Sequence, residues 1–203
     1  MGERTDGQTA LRASRLSLCG NLILTLIKLC AALAARSTAL LSETVHSLSD
    51  TGSSLIVVLG VKLSGKGKGR AENAAALLLS GVLCVTGLML GENAIRLLRQ
   101  RSDIPVPGAA APAAAAVSVF VKELLYRYTR RCAEKTGSPA LMAEARHHRS
   151  DEFCALGVLT GVFAARHGCP RLDGAVGLGI ASAILCSALL ISRDVICRQR
   201  KKH

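Results

Sequence analysis

Long apolar stretches broken by short polar or proline-rich segments organise this chain. A helix needs about 20 residues to cross about 30 Å of hydrocarbon. Six segments reach that length, some only by tolerating polar residues: about Leu16 to Ala35, Ser37 to Leu63, Ala71 to Leu98, Ala109 to Tyr128, Ser138 to Ala165 and Asp173 to Ser192. The breaks carry turn chemistry. "SGKGKG" (64–69) is a flexible basic turn, and "RSDIPVPGAAAP" (101–112) holds three prolines that interrupt a helix. "EKTGSP" (134–139) and "RHGCPR" (166–171) are loops of the same kind. The pattern predicts an all-α, polytopic membrane protein: a six-transmembrane-helix bundle over 16–192 with no soluble domain. Residues 1–15 form a cytoplasmic N-terminal segment and 193–203 a short basic cytoplasmic tail. The first span reads as uncleaved, because a signal peptide has a shorter apolar run and a small-residue cleavage site.

Composition agrees. Half the residues are apolar, yet only two Tyr and three Phe occur and no Trp, with 19 Gly and a mean hydropathy of +0.35. The apolar content is Leu, Ala, Val and Ile, as in membrane helices. The net charge of +12 would point to nucleic acid in a soluble protein. Here no basic patch is interleaved with aromatics for base stacking, and basic cytoplasmic loops account for the charge more simply. With the N-terminus inside, the inner segments hold eighteen Lys and Arg against six in the outer ones, which places both ends in the cytoplasm. The eight Cys form no CxxC pair and mostly lie in apolar segments, which predicts packing roles.

The candidate chemistry lies in a repeated spacing. "HSLSD" (His46 to Asp50) and "HHRSD" (His147 to Asp151) each place His four residues before Asp beside a hydrophobic run. Residues i and i+4 share a helix face. If the second and fifth spans pack together, two imidazoles and two carboxylates converge, a donor set that suits tetrahedral Zn²⁺. A carboxylate inside a membrane is costly and faces a partner or water. The blander reading of either pair alone is a hydrogen bond that glues helices; the repetition favours metal. Neighbours rank lower. His148 is rotated about 100° from His147 and faces elsewhere. Glu43 is placed to assist entry, to orient His46, or merely to be solvated at a helix end. Ser47 and Ser150 are expected to bond backbone or to support the ligands, and Asn21 either supports the site or packs. Gly52, Gly157 and Gly161 are expected at close helix contacts.

With these residues in view, the chain resembles the cation diffusion facilitators, a zinc-transporting family. "GNLILTLIKLCAALAARSTALLSETVHSLSD" (20–50) resembles that family's first two spans and "GRAE" (69–72) the start of its third. "KELLYRYTRR" (122–131) and "SPALMAEARHHRSDEFCALGVLTG" (138–161) resemble the fourth and fifth. The resemblance implies a six-helix domain that exports cytoplasmic Zn²⁺ in exchange for protons. It also implies a metal site between the second and fifth spans, with His46, Asp50, His147 and Asp151 as ligands. His at the first position, where relatives that favour manganese or iron carry Asp or Asn, favours zinc; Cd²⁺, Co²⁺, Fe²⁺ and Mn²⁺ are further candidate cargoes. The chain departs from the family in ending after the sixth span, without the usual cytoplasmic C-terminal domain. It also lacks the long His-rich loop of many eukaryotic relatives, which suggests a bacterial-type protein of the cell membrane. A homodimer would then form through membrane spans and the basic tail.

The mechanism expected is alternating access. Metal binds deprotonated His and Asp from inside, and protons displace it outside; unperturbed imidazole titrates near about 6.5, which suits that competition. The rival reading is a non-transporting membrane metal-binding or scaffold protein derived from a transporter. An enzyme is not expected, since a catalytic zinc keeps an open coordination position and no nucleophile-and-base arrangement appears elsewhere.

Overall fold

A computed structural model of the protein describes residues 2–35, 38–64, 69–99, 110–166 and 170–200. They form six α-helices: α1 (Gly2–Ala35), α2 (Thr38–Leu63), α3 (Arg70–Arg99), α4 (Ala110–Thr136), α5 (Pro139–Arg166) and α6 (Pro170–Arg200). No strand occurs among the described residues. The six expected segments are all helical. Several helices run past the apolar stretch into polar sequence: α1 begins near the N-terminus, α4 continues through "RRCAEKT", and α6 reaches Arg200. α1, α3 and α6 are long and apolar enough by themselves to cross a membrane, over Asp6–Ala34, Arg70–Arg96 and Gly174–Arg200. α2, α4 and α5 fall short because they carry the polar residues of the interior.

The connections follow from local chemistry. Gly137 takes a φ of 64°, the left-handed conformation that ends α4. Ser138 then caps α5: its hydroxyl accepts from Leu141 N–H at 3.4 Å, and Pro139 occupies the first helical position, where no N–H is needed. The Ser138 hydroxyl also donates to Glu72 on α3. Arg198 Nη1 donates to the Gly137 carbonyl at 2.9 Å, tying the end of α6 to the same turn. This tight hairpin makes α4 and α5 antiparallel neighbours. Of the predicted breaks, residues 65–68, 100–109 and 167–169 lie outside the described residues. Pro112 sits in the first turn of α4, where it breaks no bond.

α5 touches all five other helices and occupies the centre. The buried apolar core gathers at the end of the bundle that carries the N-terminus, called the base below. Ala10 and Ala13 of α1, Val57 and Val61 of α2, Leu79 and Leu83 of α3, Leu141 of α5, and Ile184 and Val195 of α6 belong to it. Elsewhere the usual distribution is inverted. Leu22, Ile23, Leu26, Leu55, Leu78, Leu88, Phe120 and Leu189 are exposed, while Asn21, Thr25, Ser47, Asp50, Ser54, Lys122, Glu144 and His147 are buried. Hydrocarbon outside and polar contacts within is the distribution of a membrane bundle.

Small residues set the closest approaches. A Cβ at Gly60 would lie 2.6 Å from Ala75 Cβ, and one at Gly174 3.1 Å from the Ala94 carbonyl oxygen. Gly157 packs under Ile180, as expected, whereas nothing lies within 4 Å of a Cβ at Gly52, which is on an open face. The side-chain space at Gly161 lies outside the described residues. The cysteines also differ from expectation. Among the described ones only Cys132 is buried; Cys19, Cys30, Cys186 and Cys197 are exposed, and Cys169 lies outside the described residues. A thiol is apolar enough to face lipid as readily as a core.

Candidate metal centre

α2 and α5 place the two His-x-x-x-Asp pairs against each other above the core. Asp50 and Asp151 are buried, and the His147 side chain is 4% exposed, against 43% for His46. Asp50 Oδ1 lies 3.9 Å from His46 Nε2 and 3.7 Å from His147 Nε2. His147 Nδ1 lies 3.7 Å from Asp151 Oδ1. One ligand atom each from His46, Asp50 and Asp151 falls within a cluster in which all lie within 4.8 Å of one another. His147 stands between the carboxylates, one ring nitrogen toward each. None of these separations is a hydrogen bond. Both nitrogens of His147 are buried without a hydrogen-bond partner.

Four donors around a tetrahedral zinc at about 2.0–2.1 Å lie roughly 3.3–3.4 Å apart. The observed separations of 3.7–3.9 Å are wider, and His147 meets the two carboxylates through different ring nitrogens, of which one ion takes only one, so His147 lies beside the three-donor cluster. A buried imidazole with both nitrogens orphaned between two carboxylates is costly unless something else satisfies it. Imidazole and carboxylate donors together suit a borderline divalent cation.

One residue in the site was not anticipated. Lys122 of α4 places Nζ 2.9 Å from Asp50 Oδ2 and 2.6 Å from Asp151 Oδ2, and its side chain is 3% exposed. The signal was available: a lysine within an apolar span is as costly as a carboxylate there, and needs a partner.

The other candidates lie outside the cluster. His148 is buried and faces away from the carboxylates, its ring centroid 6.4 Å from that of His147. Its Nε2 is 2.6 Å from Ser17 Oγ, and the same hydroxyl donates to Glu144 Oε1 at 2.8 Å. That contact ties α1 to α5 on the base side of the cluster. Glu144 itself is fully buried. Glu152 meets a basic neighbour: Arg149 Nη1 is 2.7 Å from Glu152 Oε2 and 2.7 Å from Glu123 Oε2, with its guanidinium 4.7 Å from the Tyr126 ring centre. Asn21 donates to Ser54 Oγ at 2.7 Å, joining α1 to α2, and its Oδ1 is unpartnered. The Ser47 carbonyl accepts from Thr25 Oγ1 at 2.9 Å, while the Ser47 hydroxyl is buried with no partner. Ser150 is buried beside Asp151. The Glu43 side chain lies outside the described residues.

A helical bundle with apolar residues outside, polar helices within and a cluster of carboxylate and imidazole donors defines a class: an integral membrane protein with a polar interior. Residues 14–197 match the family model described as the cation efflux transmembrane domain, and the chain belongs to that family. It is 33% identical over 177 residues to an uncharacterized transporter of Methanocaldococcus jannaschii, covering 83% of this chain and 62% of the relative. It is 30% identical over 218 residues to metal tolerance protein 2 of Oryza sativa subsp. japonica (91% and 56%). It is 29% identical over 190 residues to the manganese efflux system protein MneS of Bacillus subtilis (88% and 64%). The chain thus spans less than two thirds of the length of each of these relatives, from 56% to 64%.

Proposed function

We propose that the protein carries a divalent metal cation, Zn²⁺ foremost, across a cell membrane by alternating access in exchange for protons, with His46, Asp50, His147 and Asp151 as its ligands. The observation that carries this reading is the cluster of His46, Asp50 and Asp151, one ligand atom each within 4.8 Å of the others, with the buried, unpartnered Nε2 of His147 3.7 Å from Asp50 Oδ1. Two nitrogen and two oxygen donors suit zinc, and softer or larger ions compete on geometry rather than on affinity order. Manganese stands in the name of one relative, MneS, so it is the second ion to test.

The excess of Lys and Arg in the segments on the N-terminal side supports an orientation with that end, and both chain ends, in the cytoplasm. The dry core there closes the cytoplasmic side, while His46 is the most open ligand. This conformation is then closed inward, and loading from the cytoplasm requires α5 and its neighbours to part at the base. Protons release the metal by occupying the imidazoles, which bind metal only when neutral. A homodimer through membrane spans accords with the exposed apolar faces, which lipid covers equally well.

The test is zinc uptake into proteoliposomes under an imposed pH gradient, comparing the protein with His46→Ala and Asp151→Ala. Gradient-driven uptake lost in both variants is expected. Stoichiometric zinc binding without flux would replace the carrier with the scaffold reading, and manganese flux exceeding zinc flux would overturn the choice of ion.

A further inference from the structure

Lys122 holds the two buried carboxylates of the candidate site from the side opposite the imidazoles. Its ammonium bonds the Oδ2 atoms of Asp50 and Asp151 at 2.9 and 2.6 Å, on helices α2 and α5, while its own backbone belongs to α4. A divalent ion bound to those carboxylates sits about 2.0–2.2 Å from their oxygens. The Oδ1 atoms of the same carboxylates face the imidazoles, so a dication bound there would stand only a few ångströms from the ammonium on Oδ2. At short range in a poorly screened interior, their repulsion is strong.

We propose that Lys122 is the resident counter-cation of the empty site, and that a metal ion loads by displacing it. This rests on the reading of Asp50 and Asp151 as ligands. Two carboxylates buried without compensation are expensive; with Lys122 between them the empty site is tolerable, and the carrier can return without cargo. The lysine stem has four flexible carbons, so the ammonium swings away without α4 moving. Glu144 Oε2, buried and unpartnered on the base side of the site, is an acceptor for it. The charge on the two aspartates is thus balanced by one cation or another throughout the cycle. Affinity for the metal is lowered by the cost of evicting the lysine, and that eases release.

A salt bridge that merely holds three helices together, or a lysine that ligates metal, predicts the opposite sign when it is removed. The experiment is Zn²⁺ binding to the purified full chain in lipid nanodiscs, by competition with a chelating dye, for wild type, Lys122→Met, Lys122→Arg and Asp151→Ala. Lys122→Met is expected to bind Zn²⁺ about tenfold tighter or more, and to lose it to excess chelator correspondingly more slowly. Lys122→Arg, which keeps a cation in place, is expected at or below wild-type affinity. Should Lys122→Met unfold without metal, preparing it in Zn²⁺ and measuring the release rate tests the same displacement. A variant that binds no tighter, or releases no more slowly, overturns the displacement. If wild type also binds no zinc that Asp151→Ala removes, the ligand reading fails with it. Zinc bound by wild type and lost in Asp151→Ala, with no gain in Lys122→Met, sinks the displacement alone.

Discussion

α3 with α6, and α4 with α5, are both antiparallel helix pairs in extensive contact, yet they are joined by opposite means. Between α3 and α6 the contact is apolar and close. Gly87 lies under Leu185, and Gly174 and Gly177 lie against Leu98 and Ala94. The polar link between them is neutral: Ser80 Oγ stands 2.7 Å from both the Ala188 carbonyl and Ser192 Oγ. Between α4 and α5 run charged pairs, Lys122 with Asp151 and Arg149 with Glu123. In lipid no hydrophobic force drives helices together, so small residues that permit close van der Waals contact do that work. Charged pairs cost desolvation and are retained where they do something else. The first pair is a frame, and the second contributes Lys122, His147 and Asp151 to the candidate site that α2 completes.

The largest effect should come from cutting the charged region at its centre. Asp151→Ala removes one candidate ligand and leaves Lys122 with a single carboxylate. Breaking a buried ion pair from one side costs about 3–5 kcal/mol, so unfolding in mixed micelles should shift markedly, and transport of every ion should disappear. Asp151→Asn keeps the shape and should still abolish flux while costing less stability. Flux that persists in either variant would take Asp151 out of the pathway.

The frame should respond in stability rather than in transport. Gly174→Leu puts a side chain where a Cβ already meets the Ala94 carbonyl oxygen at 3.1 Å and Leu98 Cγ at 2.7 Å. Overpacking of this kind costs about 1–3 kcal/mol. The folded fraction should bind zinc with wild-type affinity. A changed affinity at unchanged stability would show that the two helix pairs are not separable.

The same division explains what the sequence disclosed. The frame was legible because α3 and α6, like α1, each contain a stretch apolar enough for hydropathy alone to find them. α2 and α5 were found as apolar segments only by tolerating polar residues, and their His-x-x-x-Asp spacing then pointed to the interior face, since such a pair of costly groups needs partners. The convergence of the two pairs followed from the resemblance and from that spacing. Lys122 was passed over because its partners come from two other helices, at sequence separations of 72 and 29 residues. No local pattern records such a contact. The role of Ser17 was hidden for the same reason, lying 127 residues from Glu144. The base-end core escaped too: its Ala-rich lining, with Ala10, Ala13, Ala140 and Ala143, has no periodic signature distinct from the lipid-facing alanines.

A smaller effect is expected where the polar interior is neutral. Ser17→Ala deprives Glu144 Oε1 and His148 Nε2 of their shared partner. An unsatisfied buried group costs about 1–3 kcal/mol, so the melting temperature should fall while equilibrium zinc affinity stays within about twofold, a change below roughly 0.5 kcal/mol. Affinity lost in step with stability would make the α1–α5 tie part of the metal site rather than its support.

The least effect is expected from a charged pair outside either interior. Arg96 Nη2 reaches Glu92 Oε1 at 2.5 Å across one helical turn of α3, with both side chains about two thirds exposed (68% and 64%). The pairing is chemically akin to that of Lys122 with Asp151, a basic side chain on a carboxylate, so it isolates burial as the variable. Water or headgroups replace either partner at little cost, and exposed pairs at i, i+4 contribute about 0.3–0.5 kcal/mol. Arg96→Ala should therefore leave zinc affinity and flux unchanged and shift unfolding by no more than that, an amount that added salt should erase. A loss comparable to that of Ser17→Ala would mean that the pair is buried in the membrane-embedded or dimeric protein. The contrast between a charged interior and an inert charged surface would then have to be drawn around the assembly rather than around the single bundle.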